Sequence, residues 1–152
     1  MAWSALEQSL ALHFATITMG GKGGADGNTF YIALESFDAV LTTRNKRQIF
    51  LTACRRRFEE PLIKQIDKLL EKVERVAARR NRVIHGRWRV SPDYPEALVY
   101  EKHIGSGELE LYDVPGLQAI HAAIANMQTE VGHFFISAVM PQLGKTSRMD
   151  HF

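Results

Sequence analysis

The sequence predicts a mainly α-helical fold, a bundle of four to five helices with a small β-hairpin inserted before the last helix. Apolar residues recur at intervals of three and four along most of the chain, which is typical of amphipathic helices. The interval shortens to two between residues 98 and 111, as it does in strands. With 152 residues, 45% of them hydrophobic, the chain can build one core. We therefore predict a single helical domain over residues 1–140 and a polar C-terminal tail over 141–152.

A glycine-rich stretch separates the first two predicted helices. The first helix is predicted from one apolar stripe, which consists of Trp3, Leu6, Leu10, Phe14 and Ile17. The stretch "GGKGGADGN", residues 20–28, holds five glycines in nine positions and favours a loop over a helix. It lacks the GxxxxGK[ST] spacing of a phosphate-binding loop, and "GKT" at 144–146 lacks the upstream glycine. We interpret residues 20–28 as a flexible connector.

Two further helical segments follow the glycine-rich stretch. The second helix is predicted to begin at an N-cap, Asn28 or Thr29, and its stripe consists of Phe30, Ala33, Leu34, Phe37, Val40 and Leu41. The stretch "TTRN", residues 42–45, interrupts it. The apolar positions of the third segment are Ile49, Leu51, Ala53, Cys54 and Phe58. Cys54, the only cysteine in the sequence, is predicted to behave as a small buried apolar residue.

The clearest helical pattern lies between Pro61, which suits a first helical turn, and Gly86. Its apolar seam alternates at intervals of four and three and consists of Leu62, Ile66, Leu69, Val73 and Val76. The same count continues to Arg80, so the apolar seam runs directly into a guanidinium. This spacing suits a helix partner in the same chain and a second copy equally well. We predict that the helix ends near His85, with Gly86 in the left-handed conformation that closes many helices.

A β-hairpin and a last helix complete the predicted fold. The stretch "SPDYP", residues 91–95, is predicted to form a loop. The two strands of the hairpin flank "GSG" and contain Leu98, Tyr100 and Ile104 before it and Leu109 and Leu111 after it. The last helix is predicted to begin at Asp113 and Pro115 and to end at Pro141. Its seam consists of Leu117, Ile120, Ile124, Met127, Val131 and Phe134.

The positive charge of the chain is concentrated in its middle third. Residues 44–89 hold 15 of the 19 lysines and arginines but 5 of the 17 acidic residues, which leaves +10 there and −8 in the rest of the chain. Such a segment suits a long solvated helix or a polyanionic partner. The sequence shows neither a leader peptide pattern nor an apolar run of the ~20 residues that a membrane span needs. We therefore expect a cytoplasmic protein without a membrane partner.

The stretch "RRNRVIHGRW", residues 79–88, brings permanent cations and a titratable ring to the predicted helix end. Histidine exchanges protons near neutral pH, and arginine presents a planar fork that matches phosphate oxygens. Together they can act on a phosphodiester without a metal ion, and RNA supplies its own nucleophile in the 2′-hydroxyl. Asn81 and His85 are four residues apart and share a helix face, so we predict that Asn81 orients the imidazole.

Arg80 and His85 differ by about 140° around a helix axis, so within one chain their side chains diverge. A two-fold dimer that packs the two long helices together would bring Arg80 of one subunit towards His85 of the other.

Arg80, Asn81 and His85 form a pattern that resembles the Arg-x4-6-His motif, often Arg-Asn-x3-His, of the HEPN superfamily (higher eukaryotes and prokaryotes nucleotide-binding domains). Gly86 and Trp88 match the "HGxW" continuation that is frequent in that family. The resemblance implies a HEPN-like helical domain and a metal-independent endoribonuclease that leaves a 2′,3′-cyclic phosphate and works as a homodimer with a composite cleft. Such proteins often belong to toxin–antitoxin or antiviral defence systems, and any antitoxin of this chain would be a separate protein.

The resemblance assigns catalysis to Arg80 and His85, with Asn81 in support. Arg79 also satisfies the motif spacing, but we prefer Arg80 because an asparagine follows it directly. The arginines that we predict to contact RNA are Arg55, Arg56, Arg57, Arg79, Arg82 and Arg87. No cofactor or metal site is predicted, since His121 and His133 have no HExxH or CxxC spacing.

Other interpretations of the same residues stay open. Basic side chains are favoured at helix C-termini, so Arg80 and His85 can serve as a helix cap alone. A domain that binds nucleic acid or nucleotides without cleaving them also accounts for the basic charge, and a protein-interaction domain accounts for the amphipathic helices. Trp3 and Trp88 are predicted to be packing residues rather than platforms for base stacking.

Overall fold

The structure is a computed structural model that describes residues 2–20, 27–101 and 108–146. Its helices are α1 (Ala2–Thr18), α2 (Gly27–Asp38), α3 (Thr43–Arg55), α4 (Glu60–His85), α5 (Val114–Phe134) and α6 (Met140–Thr146). A π-helical segment, Phe135–Val139, joins α5 to α6, and the strands are β1 (Trp88–Ser91), β2 (Tyr94–Glu101) and β3 (Leu109–Tyr112). The predicted fold class is confirmed. Within these residues no helix combines the length and the apolar character that crossing a bilayer requires.

Helix α1 lies at the centre of the hydrophobic core, in contact with α2, α3 and α5. Its predicted stripe is confirmed, because Leu6, Leu10, Phe14 and Ile17 are buried and Trp3 is half-buried. The largest fully buried side chains of the core are Phe37, Leu6, Ile17, Leu143, Val73, Val139 and Cys54. Burial of this apolar surface provides the main stabilisation of the bundle.

The buried face of α4 packs inside its own chain. The helix begins with Pro61 in its first turn, as predicted, and contacts α3 and α5. Its buried residues are Ile63, Ile66, Leu69, Leu70, Val73 and Ala77. The seam therefore has an intramolecular partner, and a dimer that packs two α4 seams together is incompatible with this fold.

The boundaries of α2 and α3 differ in detail from the prediction. Helix α2 begins at Gly27, so Asn28 and Thr29 lie in its first turn rather than at its N-cap. Residues 21–26 of the predicted connector lie outside the described part of the chain. The "TTRN" stretch begins α3, because the Thr42 hydroxyl accepts a hydrogen bond from the Asn45 amide at 3.2 Å. The interruption between the two helices is therefore an N-cap.

The β-structure is a three-stranded antiparallel sheet in the order β1-β2-β3. Strand β1 was not predicted, and "SPDYP" is not a loop throughout, since Ser91 pairs with Tyr94 and a tight turn at residues 92–93 joins the strands. Pro95 lies near the start of β2, where a missing amide hydrogen is tolerated. The predicted "GSG" turn and Ile104 lie outside the described residues.

The last helical segment begins as predicted and ends later than predicted. The Asp113 carboxylate accepts a hydrogen bond from the Gly116 amide at 2.7 Å and caps α5. Pro141 does not end the segment, which continues to Thr146. Proline clashes with the carbonyl four residues back in a regular α-helix, and here that residue belongs to the π-helical segment, whose wider turn relieves the clash. Leu143, 2% exposed, therefore joins the core.

Candidate active site

The last two turns of α4 place Arg80 and His85 on different faces of the helix. Arg80 follows the buried residues Val73 and Ala77 at intervals of seven and three, and it is half-buried. Asn81 and His85 are exposed. The two motif side chains therefore diverge from their own helix in the direction expected from 100° per residue.

The guanidinium of Arg80 is held by contacts from two helices. Its central carbon lies 5.4 Å from the ring centroid of Trp3 in α1, within the range of a cation–π interaction. Its Nη1 atom donates a hydrogen bond to Oδ1 of Asn81 at 3.0 Å. Its Nε atom is shielded from solvent and has no hydrogen-bond partner among the described residues. The guanidinium therefore has a fixed direction, with one nitrogen turned towards Asn81.

His85 is the last residue of α4 and its imidazole is exposed. The structure shows no hydrogen bond between the described side chains of Asn81 and His85, and the Asn81 carbonyl oxygen accepts a hydrogen bond from Arg80. Asn81 therefore links Arg80 to the helix face on which His85 lies, four residues further along. The imidazole is open to a ligand that approaches from solvent.

A tight corner between α4 and β1 fixes the position of His85. Gly86 has φ −68° and ψ 153°, so the predicted left-handed conformation is wrong. The glycine is needed for space, because a Cβ atom would lie 2.2 Å from the Arg82 carbonyl oxygen and 2.8 Å from the Tyr100 ring. The Trp88 indole donates a hydrogen bond to the Val83 carbonyl at 3.0 Å. The strand therefore folds back directly onto the last turn of the helix.

The motif end of α4 is strongly cationic. Between residues 75 and 89 the sequence contains six arginines and no acidic residue. Two of the six pair with acids from the sheet, Arg82 with Glu110 at 3.5 Å and Arg89 with Glu101. Arg75, Arg79 and Arg87 are exposed and form no ion pair with the described residues. A positive surface of this kind attracts phosphate groups.

The pairing of Arg82 with Glu110 could not be predicted from sequence spacing, because the partner lies on β3. Glu110 also accepts a hydrogen bond from the Tyr112 hydroxyl at 3.0 Å. Burial and this bond raise the pKa of Tyr112. Arg82, predicted to contact RNA, is thus partly neutralised by its own chain.

The second predicted RNA-binding cluster lies at the opposite end of α4. Arg55 and Arg56 are exposed at the end of α3, next to the start of α4. Arg57 is half-buried, and its Nη2 donates to the Thr18 carbonyl at 3.2 Å, which caps α1. Since α4 has 26 residues, about 39 Å of helix separates this cluster from His85. The structure therefore places the two groups of predicted RNA-binding arginines at opposite ends of α4.

The other candidate groups lie apart from this site. Cys54 is buried, as predicted, and burial raises its pKa to about 12, so the thiol stays protonated at neutral pH. His121 and His133 are both exposed. Among the described residues no three histidine, cysteine, aspartate or glutamate side chains are grouped as a metal site requires. An open groove of about 580 Å³ lies between the start of α4 and α6, away from the motif.

Comparison with protein-family models, with characterised proteins and with solved structures finds no match to this chain.

Proposed function

We propose that the chain is a metal-independent endoribonuclease of the HEPN type that acts as a homodimer. The observation that carries this proposal is the arrangement of Arg80, Asn81 and His85 at the exposed end of α4. The guanidinium is hydrogen-bonded to Asn81, and Asn81 shares a helix face with the solvent-exposed imidazole. A guanidinium of fixed direction and an accessible imidazole, brought together from two subunits of a dimer, are suited to bind and cleave a phosphodiester.

The proposed reaction uses the 2′-hydroxyl of the RNA as nucleophile. His85 moves the protons while the 2′-oxygen bonds to phosphorus and the bond from phosphorus to the 5′-oxygen breaks. Arg80 stabilises the negative charge that develops on the phosphate oxygens. The products are a 2′,3′-cyclic phosphate and a 5′-hydroxyl. The proton of the 2′-hydroxyl ends on the 5′-oxygen, so the reaction consumes no water and needs no metal ion. Arg79 and Arg87, both exposed, provide further phosphate contacts.

Exposed apolar side chains near the end of α4 and on the sheet support the homodimer. Ile84 is 55% exposed on the last turn of α4, and Val90 is 79% exposed on β1. Leu98, which pairs with Val90 on the same face of the sheet, is also exposed, whereas Leu109 and Leu111 are exposed on the opposite face. Apolar surface of this kind is typical of protein interfaces. We place the dimer contact at Ile84 and at the sheet face of Val90 and Leu98, because the α4 seam is already buried in the core.

A cleavage assay tests the enzyme. Purified chain is incubated with a mixed-sequence RNA in EDTA, and the 3′ ends are examined for cyclic phosphate. Wild type is expected to cleave, whereas His85→Ala and Arg80→Ala are expected to lose cleavage and to remain folded by circular dichroism. Intact RNA with the wild-type chain, or undiminished cleavage by both variants, would refute the proposal.

A mixing experiment tests the composite site. Arg80→Ala and His85→Ala chains are inactive separately, and after unfolding and joint refolding a mixed dimer holds one intact pair if the two residues come from different subunits. Recovery of about a quarter of wild-type activity is expected, since half the dimers are mixed and each has one site. Without recovery, each site would be formed by one chain.

A protein-interaction domain is the second candidate, favoured by the same exposed apolar side chains. In that case Val90→Lys and Leu98→Lys, on one face of the sheet, abolish association with the other protein, while the wild-type chain is monomeric in sedimentation and leaves RNA intact. Cleavage in EDTA by the wild type excludes this as the only function.

A further inference from the structure

Trp3 and Arg80 are far apart in sequence and in contact in the fold. Trp3 lies in the first turn of α1, and its half-buried ring faces the guanidinium from 5.4 Å. It is one of two tryptophans in the chain, and the other, Trp88, holds the corner after α4. The first and fourth helices therefore meet at the motif arginine.

An arginine side chain has several rotatable bonds, and a flexible guanidinium stabilises a transition state poorly. In this structure two contacts restrict Arg80, because the indole face of Trp3 lies beside the guanidinium and Asn81 accepts from Nη1. The Nε atom is enclosed and has no hydrogen-bond acceptor among the described residues. The electron-rich face of Trp3 attracts the positive charge of the guanidinium, whose central carbon lies 5.4 Å from the ring centroid.

We infer that Trp3 is a positioning residue for Arg80. The indole ring holds the guanidinium in the orientation in which its Nη1 atom donates to Asn81. The inference rests on the proposed ribonuclease function. Trp3 does not touch RNA in this proposal; it acts through Arg80, so its loss lowers the rate of the chemical step more than it weakens substrate binding.

Trp3 also contributes to packing, and the test has to separate the two roles. The ring lines a small apolar cavity together with Leu10, Phe37, Leu70 and Val73. Trp3→Phe keeps an aromatic face, whereas Trp3→Leu keeps an apolar side chain without one. Leu10→Ala is the matched control, because it disturbs the same cavity from the same helix, two turns away from Trp3.

The experiment measures kcat and KM for RNA cleavage at a temperature where all variants are folded. Trp3→Leu is expected to lower kcat about tenfold with KM within about twofold of wild type, and Trp3→Phe to retain most of the activity. Leu10→Ala is expected to keep the wild-type kcat. The inference is overturned if Trp3→Leu cleaves like wild type, or if Leu10→Ala lowers kcat as much.

A spectroscopic readout observes the contact without RNA. In wild type the indole ring shields the Arg80 side-chain protons, so their NMR signals are expected upfield of those of other arginines and to return to ordinary positions in Trp3→Leu. Unshielded Arg80 protons in wild type overturn the inference and leave the ribonuclease proposal intact. A wild-type chain that shows the shielding but leaves RNA uncut refutes the ribonuclease proposal, and the positioning role with it.

Discussion

The charges of α4 serve different purposes on the two sides of Arg75, which divides the helix into a first half, residues 60–74, and a shorter second half, residues 75–85. In the first half Asp67, Glu71 and Glu74 all lie within 4 Å of Arg47, a half-buried residue of α3. These charges connect two helices of the bundle. In the second half, which continues into β1 at residue 89, six arginines occur without an acid. The first half is used for folding, and the second half presents charge that the chain satisfies only in part.

Because of this difference, the net charge of +10 in residues 44–89 overstates the charge that is available to a partner. Arg47 and Arg57 are engaged inside the molecule, the first with acids of α4 and the second with the end of α1. Arg79 and Arg87 are exposed at the motif end. The capacity to bind a polyanion therefore depends on where the arginines lie rather than on their number.

The largest expected effect is on RNA cleavage at the motif end. Replacing His85 with alanine removes the proposed proton carrier and should lower the cleavage rate about 1,000-fold, in the range of general acid–base catalysis. The midpoint of thermal unfolding should change little, because the side chain is exposed. Rates are measured with a labelled RNA and unfolding by circular dichroism.

The control for His85 is His121→Ala, an exposed histidine on α5. It should cleave at the wild-type rate. If both variants lost the same fraction of the cleavage rate, His85 would have no specific role in catalysis.

The next effect is on stability, in the first half of α4. Arg47→Met removes a guanidinium that donates to Asp67 at 2.8 Å and to Glu74 at 2.7 Å and leaves both carboxylates without it. The free energy of unfolding should fall by about 2 kcal/mol. Urea denaturation measures it, with the exposed Arg44→Met as control. An unchanged urea midpoint would show that these ion pairs contribute nothing to folding.

The helices were predictable from sequence because periodicity reports directly which side chains are buried. The stripe of α1 and the start of α4 at Pro61 are found where the pattern placed them. Strand β1 was missed because its four residues follow a helix end and precede two prolines, so the alternation is too short to detect. The end at Pro141 was misjudged because a π-helical segment leaves no periodic signal.

The candidate site was predictable only as a list of residues. The order Arg-Asn-x3-His identifies which side chains are involved, and 100° per residue separates Arg80 from His85. Neither indicates that Trp3 covers the guanidinium or that Glu110 neutralises Arg82, since these contacts join distant segments. The hydrogen bond that Asn81 accepts from Arg80 was not predicted, because the position of Asn81 on the helix allows a contact with either neighbour.

The third effect depends on pH and tests the core beside α1. His13 stacks on Phe135 at 3.7 Å between ring centroids, and burial lowers its pKa from 6.5 to about 4. The unfolded chain therefore takes up this proton between about pH 6.5 and pH 4 while the folded chain does not. Stability should fall by about 2 kcal/mol as the pH decreases through this window, allowing for partial solvent screening.

His13→Phe keeps the ring stack and should lose this part of the pH dependence, whereas His121→Gln should retain it. Urea midpoints at pH 7, 5.5 and 4 measure the difference. Parallel curves for His13→Phe and wild type would show that His13 is protonated equally in both states.

The smallest expected effect compares the basic residues at the two ends of α4 directly. The double variant Arg79→Gln, Arg87→Gln should weaken RNA binding about tenfold at 0.1 M salt and reduce the slope of log K against log salt by about 1.4, since each phosphate contact on a single strand contributes about 0.7. The double variant Arg55→Gln, Arg56→Gln removes the same charge from exposed positions about 39 Å away. If RNA binds at the motif end of α4, the Arg55→Gln, Arg56→Gln variant should weaken RNA binding less than twofold. Equal losses would mean that RNA follows the whole length of α4, so that both halves of the helix present charge to it.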